Sequence, residues 1–193
     1  ACIGTGSQLA TGELICEEGY FATGTGNTDC TPVEDGYCSS DDGETCKGAG
    51  STGADRQMIC PQGTYDSTVG VPSSVCTSCE AGKYTDTAGS TTCLSAGPGT
   101  CTSIDGDACI GTGATGAKFK INCPQGSWSD GDTNDVCNLA QAGYCTTDDT
   151  GTACIGTGSQ LATGELICEE GYFATGTGNT DCTPSPAGYC SSD

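Results

Sequence analysis

The sequence predicts a small disulfide-rich fold, mostly irregular with short β-strands and almost no helix, laid out as an elongated tandem array of modules of about 44 residues. Three observations predict it: 18 cysteines among 193 residues, a regular rhythm in their spacing, and a segment that occurs twice without change. Such cysteine content lies where disulfide scaffolds begin. Cysteines follow one another in steps of 14, 14, 8 and 8 residues, starting at Cys2. Residues 1–32 and 153–184 are identical, an offset of 152 residues. Two copies in one compact domain drift apart, because each packs against different neighbours. Identity therefore leads us to expect a long array, of which this chain is one period plus an overlap.

The rhythm divides the chain into module 1 (1–45), module 2 (46–108), module 3 (109–153) and module 4 (154–193), the last being the next copy of module 1. Modules 1, 3 and 4 carry four cysteines each: Cys2, Cys16, Cys30 and Cys38; Cys109, Cys123, Cys137 and Cys145; Cys154, Cys168, Cys182 and Cys190. Module 2 carries six, Cys46, Cys60, Cys76, Cys79, Cys93 and Cys101, so its insertion adds one complete pair.

Each segment has its own signature. The stretch after a first cysteine opens C-[IK]-G-[TA]-G and ends on Ile15, Ile59 or Ile167 beside the next cysteine, or on Ile121 one residue short of it. The stretch after a second cysteine reads C-x-x-G-x-aromatic, giving Phe21, Tyr65, Tyr84, Trp128 and Phe173. We read these aromatics as packing residues, each a plug over the disulfide of its own module. The fourth cysteine follows Gly-Tyr at Tyr37, Tyr144 and Tyr189, with Thr100 the exception. Turns such as Asp41-Asp42-Gly43 and Asp105-Gly106-Asp107 separate it from the next module, and Asp-Gly between extended pieces signals a turn. No stretch has the 3.6-residue apolar period of a helix.

Composition narrows function. Apolar residues, cysteine included, make up only 34 %, and glycine alone supplies 32 residues, so little apolar burial is available to offset ordering entropy. Disulfides worth roughly 2–4 kcal/mol each are the substitute, and they place the chain in an extracellular or cell-surface setting. With no histidine, mixed Cys/His zinc sites and histidine bases are excluded. A net charge of −20 excludes nucleic acid as a natural partner. No apolar run reaches the ~18 residues of a membrane span.

"CPQGTYDSTVGVPSSVCTSCEAGKYTDTAGSTTC", Cys60 to Cys93, carries a family resemblance. C-x-x-G-x-Y followed by C-x-x-C resembles the cysteine-rich repeats of tumour necrosis factor receptors, and equally the ephrin-receptor-like and growth-factor-receptor repeats. The Thr/Gly/Ser-rich cysteine periodicity is similar to ciliate surface immobilisation antigens and other protist coat proteins. The receptor-type module implies the loop disulfides Cys16–Cys30, Cys60–Cys76, Cys79–Cys93, Cys123–Cys137 and Cys168–Cys182. The remaining cysteines have two arrangements: within a module (Cys2–Cys38, Cys46–Cys101, Cys109–Cys145, Cys154–Cys190), or across the Asp-Gly turn, as in Cys38–Cys46. We take the first as the expectation, since the sequence starts and ends on that boundary.

Candidate chemistry is sparse. Cys76-Thr-Ser-Cys79 is a C-x-x-C without a strand–helix context, and both cysteines fit the structural pattern. Asp130-Gly-Asp132-Thr-Asn134-Asp135 begins like a calcium loop but has Asp135 where glycine belongs and Gln141 where the bidentate Glu belongs. The composition leaves weakly bound calcium and O-glycans open without demanding either, and no N-x-[ST] sequon occurs. We expect no cofactor and no enzymatic activity. Two classes of function fit: a structural, self-associating component of an extracellular filament or surface coat, or a receptor or adhesin ectodomain such as a protist surface antigen.

Overall fold

The computed structural model describes residues 13–131 and 135–192. Among them there is no helix, only strands of two or four residues joined in antiparallel pairs. The chain divides into two units.

The first unit runs to Cys79 and includes Thr85–Cys93. It contains β1 (Tyr20–Phe21), β2 (Thr31–Pro32), β3 (Tyr37–Ser40), β4 (Arg56–Ile59), β5 (Thr64–Tyr65) and β6 (Thr77–Ser78). The pairs are β1–β2, β3–β4 and β5–β6. The second unit, Glu80–Tyr84 with Leu94 onward, contains β7 (Lys83–Tyr84), β8 (Leu94–Ser95), β9 (Thr100–Ser103), β10 (Phe119–Asn122), β11 (Ser127–Trp128), β12 (Asn138–Leu139), β13 (Tyr144–Thr147), β14 (Gly164–Ile167), β15 (Tyr172–Phe173) and β16 (Thr183–Pro184). Here consecutive strands pair from β7–β8 to β15–β16.

Two hairpin types alternate, save that the inserted loop sets two short ones, β5–β6 and β7–β8, in succession, and each follows from its sequence signature. The short type is the C-x-x-G-x-aromatic loop. In Cys123-Pro124-Gln125-Gly126-Ser127, the Ser127 N–H donates to Pro124 O at 3.1 Å, while Gly126 has φ +76°. A four-residue turn with positive φ at its third position demands glycine. It also demands the absence of a side chain: a Cβ on Gly126 would run into the carbonyl of Gly178. The turn aims the aromatic into a two-residue ladder, Trp128 opposite Asn138, and a disulfide ties the hairpin at its base.

The long type has four residues per strand and crosses the boundaries drawn from the cysteine rhythm. Tyr37 lies opposite Ile59, Thr100 opposite Asn122, and Tyr144 opposite Ile167. Each strand holding a fourth cysteine therefore pairs with the strand leading into the second cysteine of the following module.

The interior is made of sulfur and small residues. Cys38, Cys60, Cys79, Cys101, Cys123 and Cys145 are fully buried, and Ser39, Ser40, Thr102, Ser103 and Thr146 are buried beside them. Large aliphatics sit outside, among them Ile15, Ile59 and Ile167. With so little apolar burial, covalent cross-links carry the stability that a hydrophobic core supplies in larger domains.

Candidate functional site: a repeated disulfide junction

The disulfides define a structure that recurs at each module boundary. The five loop disulfides implied by the receptor-type resemblance are present: Cys16–Cys30, Cys60–Cys76, Cys79–Cys93, Cys123–Cys137 and Cys168–Cys182. Cys76 and Cys79 of the C-x-x-C thus belong to different disulfides, which gives that motif a structural role.

The expectation for the remaining cysteines is corrected. Cys38 bonds Cys46, Cys101 bonds Cys109, and Cys145 bonds Cys154. The within-module pairs Cys2–Cys38, Cys46–Cys101, Cys109–Cys145 and Cys154–Cys190 do not form, Cys190 being a free, exposed thiol. Cys2 lies outside the described residues. The reason is local. Ser40, Ser103 and Thr147 sit two residues past the cysteine and organise the turn that returns the chain. The Ser40 hydroxyl receives the Gly43 N–H at 2.8 Å and donates to Thr45 O at 2.7 Å. Asp42 then receives the N–H groups of Glu44 and Thr45, both at 2.8 Å. Asp105 receives those of Asp107 and Ala108 in the same way. As the chain returns, Lys47, Ile110 and Ile155 donate to the carbonyls of Ser39, Thr102 and Thr146. A loop of eight or nine residues closes at less entropic cost than one of 36 or more.

These turns set the local electrostatics. The Asp42 carboxyl is held well below the usual range by the backbone N–H of Thr45, then that of Glu44. Asp105 is lowered chiefly by the Asp107 N–H, and Asp148 chiefly by the Thr150 hydroxyl. Asp41 instead pairs with the Lys47 ammonium at 2.7 Å. Both carboxylates of the Asp41/Asp42 pair therefore have a partner, one conformational and one charged.

Every turn disulfide touches the loop disulfide of the module after it. Cys46 Sγ lies 3.3 Å from Cys76 Sγ, Cys109 Sγ 3.6 Å from Cys137 Sγ, and Cys154 Sγ 3.7 Å from Cys182 Sγ. Oxidised sulfurs carry no proton, so these are van der Waals contacts rather than hydrogen bonds. In each triad, such as Cys38, Cys46 and Cys76, all three sulfurs lie within 4.8 Å of one another. A metal ligand must be a thiolate, and in this oxidised state the triads offer none.

The aromatics serve the same boundary. Phe21 bridges Ala54, Tyr84 bridges Ala117, and Trp128 bridges Ala162, each alanine lying six residues before the second cysteine of the next module. Tyr84 is buried with Ala96 and Ala117, and Ile110 packs against them. The Tyr84 ring thus packs with residues of the next segment, Ile110 and Ala117, as well as with Ala96 of its own hairpin. Tyr65 and Phe173 occupy the same hairpin position and are half-buried, without such a bridge. The alanines and the Ser/Thr caps escaped sequence reading, although both recur at a fixed offset from a cysteine. Of the calcium-like stretch, residues 132–134 lie outside the described residues. Asp135 turns inward, its carboxylate receiving the Gly113 N–H at 2.6 Å.

No protein-family model matches the chain, and no curated protein is significantly similar to it. Short strands and regular disulfides are compatible with cysteine-rich repeats as a class. Among the described residues, no helix is long and apolar enough to cross a membrane.

Proposed function

We propose that this chain is a structural component of an extracellular filament or cell-surface coat, built from tandem disulfide-stapled repeats and without catalytic activity. The observation that carries the reading is the junction. At three successive boundaries, a four-residue strand pair and a turn disulfide both reach from one module into the next. A scaffold needs equal, reinforced connections, whereas a binding site needs one distinctive face. The disulfides suit an oxidising compartment, and the charge of −20 keeps neighbouring assemblies apart and soluble.

Small-angle scattering on the oxidised chain tests the reading. A compact chain of this length has a radius of gyration of about 16 Å. An elongated stack gives a value well above that, together with a long-tailed distance distribution. A value near the compact figure overturns the scaffold reading.

A further inference from the structure

Two disulfides meet at each junction, and their four sulfurs are not equivalent. At the first junction Cys38 and Cys60 are fully buried, each 0 % exposed, whereas their partners Cys46 and Cys76 are half-buried and are the two in contact. The second junction repeats the arrangement, with Cys101 and Cys123 fully buried and half-buried Cys109 in contact with half-buried Cys137. At the third, Cys154 meets Cys182 and Cys145 is fully buried, but Cys168 is half-buried. The inserted loop offers a contrast: among the described residues, neither Cys79 nor Cys93 belongs to a sulfur triad.

A thiolate that cleaves a disulfide must strike a sulfur it can reach. At the first junction the reachable sulfurs are the contacting ones. Attack on Cys46 displaces Cys38, and attack on Cys76 displaces Cys60. In either case the sulfur left near the surface faces the other disulfide at 3.3 Å. Both routes therefore converge on a third pairing, Cys46–Cys76. Its two leftover thiols are those of the fully buried cysteines, where burial makes them inert and keeps further reagent away. The pairing also holds the junction folded. Its ring spans 30 residues, against 8 and 16 for the original two, and a longer ring withdraws more freedom from the unfolded chain.

We propose that each junction is a reaction site for dithiols, at which two disulfides are exchanged for one new bond, Cys46–Cys76, and two buried thiols, Cys38 and Cys60. Cys109–Cys137 forms in the same way beside Cys101 and Cys123, and Cys154–Cys182 beside Cys145 and Cys168. Such a site goes beyond the scaffold reading and does not rest on it. The dithiol's first thiolate attacks Cys46 Sγ and expels the Cys38 thiolate. Its second thiolate attacks the reagent's own sulfur in that mixed disulfide, closing a cyclic disulfide and expelling the Cys46 thiolate. Cys46 then attacks Cys76 Sγ and expels Cys60. The dithiol gives up two electrons and two protons, and the protons end on Cys38 and Cys60. The third junction keeps its isomer least well, because half-buried Cys168 stays within reach of reagent.

The test first treats the native 193-residue chain with iodoacetamide, which caps any thiol present at the outset. Limiting dithiothreitol is then added, the reaction is quenched with acid, and new thiols are labelled with maleimide before or after denaturation. Aspartyl-specific proteolysis cuts between the two cysteines of every disulfide described here, and tandem mass spectrometry reads the links. Cys46–Cys76 and Cys109–Cys137 should rise from nothing to become the main partly reduced forms of their junctions. Cys38, Cys60, Cys101 and Cys123 should take maleimide only after denaturation. Cys79 and Cys93 should be found bonded to each other or both reduced, never joined to another cysteine. Free Cys38 and Cys46 beside an intact Cys60–Cys76 overturns the proposal. So does passage to four free thiols without the new bond, or exchange that involves Cys79 and Cys93 as often as the junction cysteines.

Discussion

Cys154 Sγ sits 3.7 Å from Cys182 Sγ, in contact though bonded elsewhere, Cys154 to Cys145 and Cys182 to Cys168. Sulfurs this close are poised for exchange whenever one becomes a thiolate, because a thiolate attacks a neighbouring disulfide sulfur directly. Replacing Cys145 alone leaves the Cys154 thiol in that position. Cys145→Ser should therefore scramble, forming Cys154–Cys182 and releasing Cys168, while Cys145→Ser/Cys154→Ser keeps Cys168–Cys182. Disulfide mapping of the two variants after alkylation distinguishes them, and an intact Cys168–Cys182 in the single variant refutes the exchange.

Removing the turn disulfide cleanly should cost about 2.5 kcal/mol, the loop-closure value for so short a ring. Denaturant unfolding of the double variant, followed by the fluorescence of Trp128, measures it. Loss of less than ~1 kcal/mol would mean the turn hydrogen bonds alone hold the loop.

Gly126→Ala should be among the most damaging single changes. It forces a side chain into positive φ and against the Gly178 carbonyl. The left-handed penalty is roughly 1–2 kcal/mol, and overpacking adds roughly 1–3. The denaturation midpoint and the yield of correctly mapped disulfides report the loss.

Leu161 is the only non-glycine residue with positive φ among those described, at +69°. The equivalent positions, seven residues before the second cysteine, are Gly53 and Gly116, with φ of +74° and +79°. Leu161→Gly removes the left-handed strain while loosening the unfolded chain by about 0.5–1 kcal/mol. A net gain of about 0.5–1 kcal/mol is expected, read as a rise in the denaturation midpoint, and a fall refutes the strain.

Acid should weaken the turns. Asp42, Asp105 and Asp148 all have carboxyls lowered by hydrogen bonds in the folded state. Their contribution is fully present above the unfolded value of about 3.9 and is lost as pH falls through the folded values. Relief of the chain's negative self-repulsion has the opposite sign. The comparison is therefore with Asp42→Asn/Asp105→Asn/Asp148→Asn. The parent should melt higher at pH 7 and at pH 5, and its advantage should shrink below about pH 4. An advantage at pH 2 undiminished from that at pH 5 excludes the mechanism.

Much of the fold was legible because it is written in spacing. The 14-residue loops, the glycine two places before each aromatic, and the complete extra loop at Cys79–Cys93 repeat often enough to fix their geometry. The phase of the junction was not legible. Cys38 can be grouped with Cys2 or with Cys46 on count alone, and the choice depends on hydrogen bonds from Ser40 and Asp42 that no periodicity announces. The partner of Tyr37 was equally hidden. Ile59 is exposed, so no alternation of buried and exposed residues marked the strand's register. Ala54, Ala117 and Ala162 looked like filler among glycines and threonines, yet their small size lets one module's backbone lie against the next.

Because the turn disulfides and the four-residue hairpins straddle the module boundaries, the array can change length without changing its joints. Excising residues 109–153 places Cys154 eight residues after Cys101 and sets Thr100–Ser103 against Gly164–Ile167, so the same ring and the same ladder form again. Recombination between repeats that removes or adds a whole period therefore yields a chain that still folds. For such a gene, copy number is a quantity that selection can adjust freely, like the number of links in a chain.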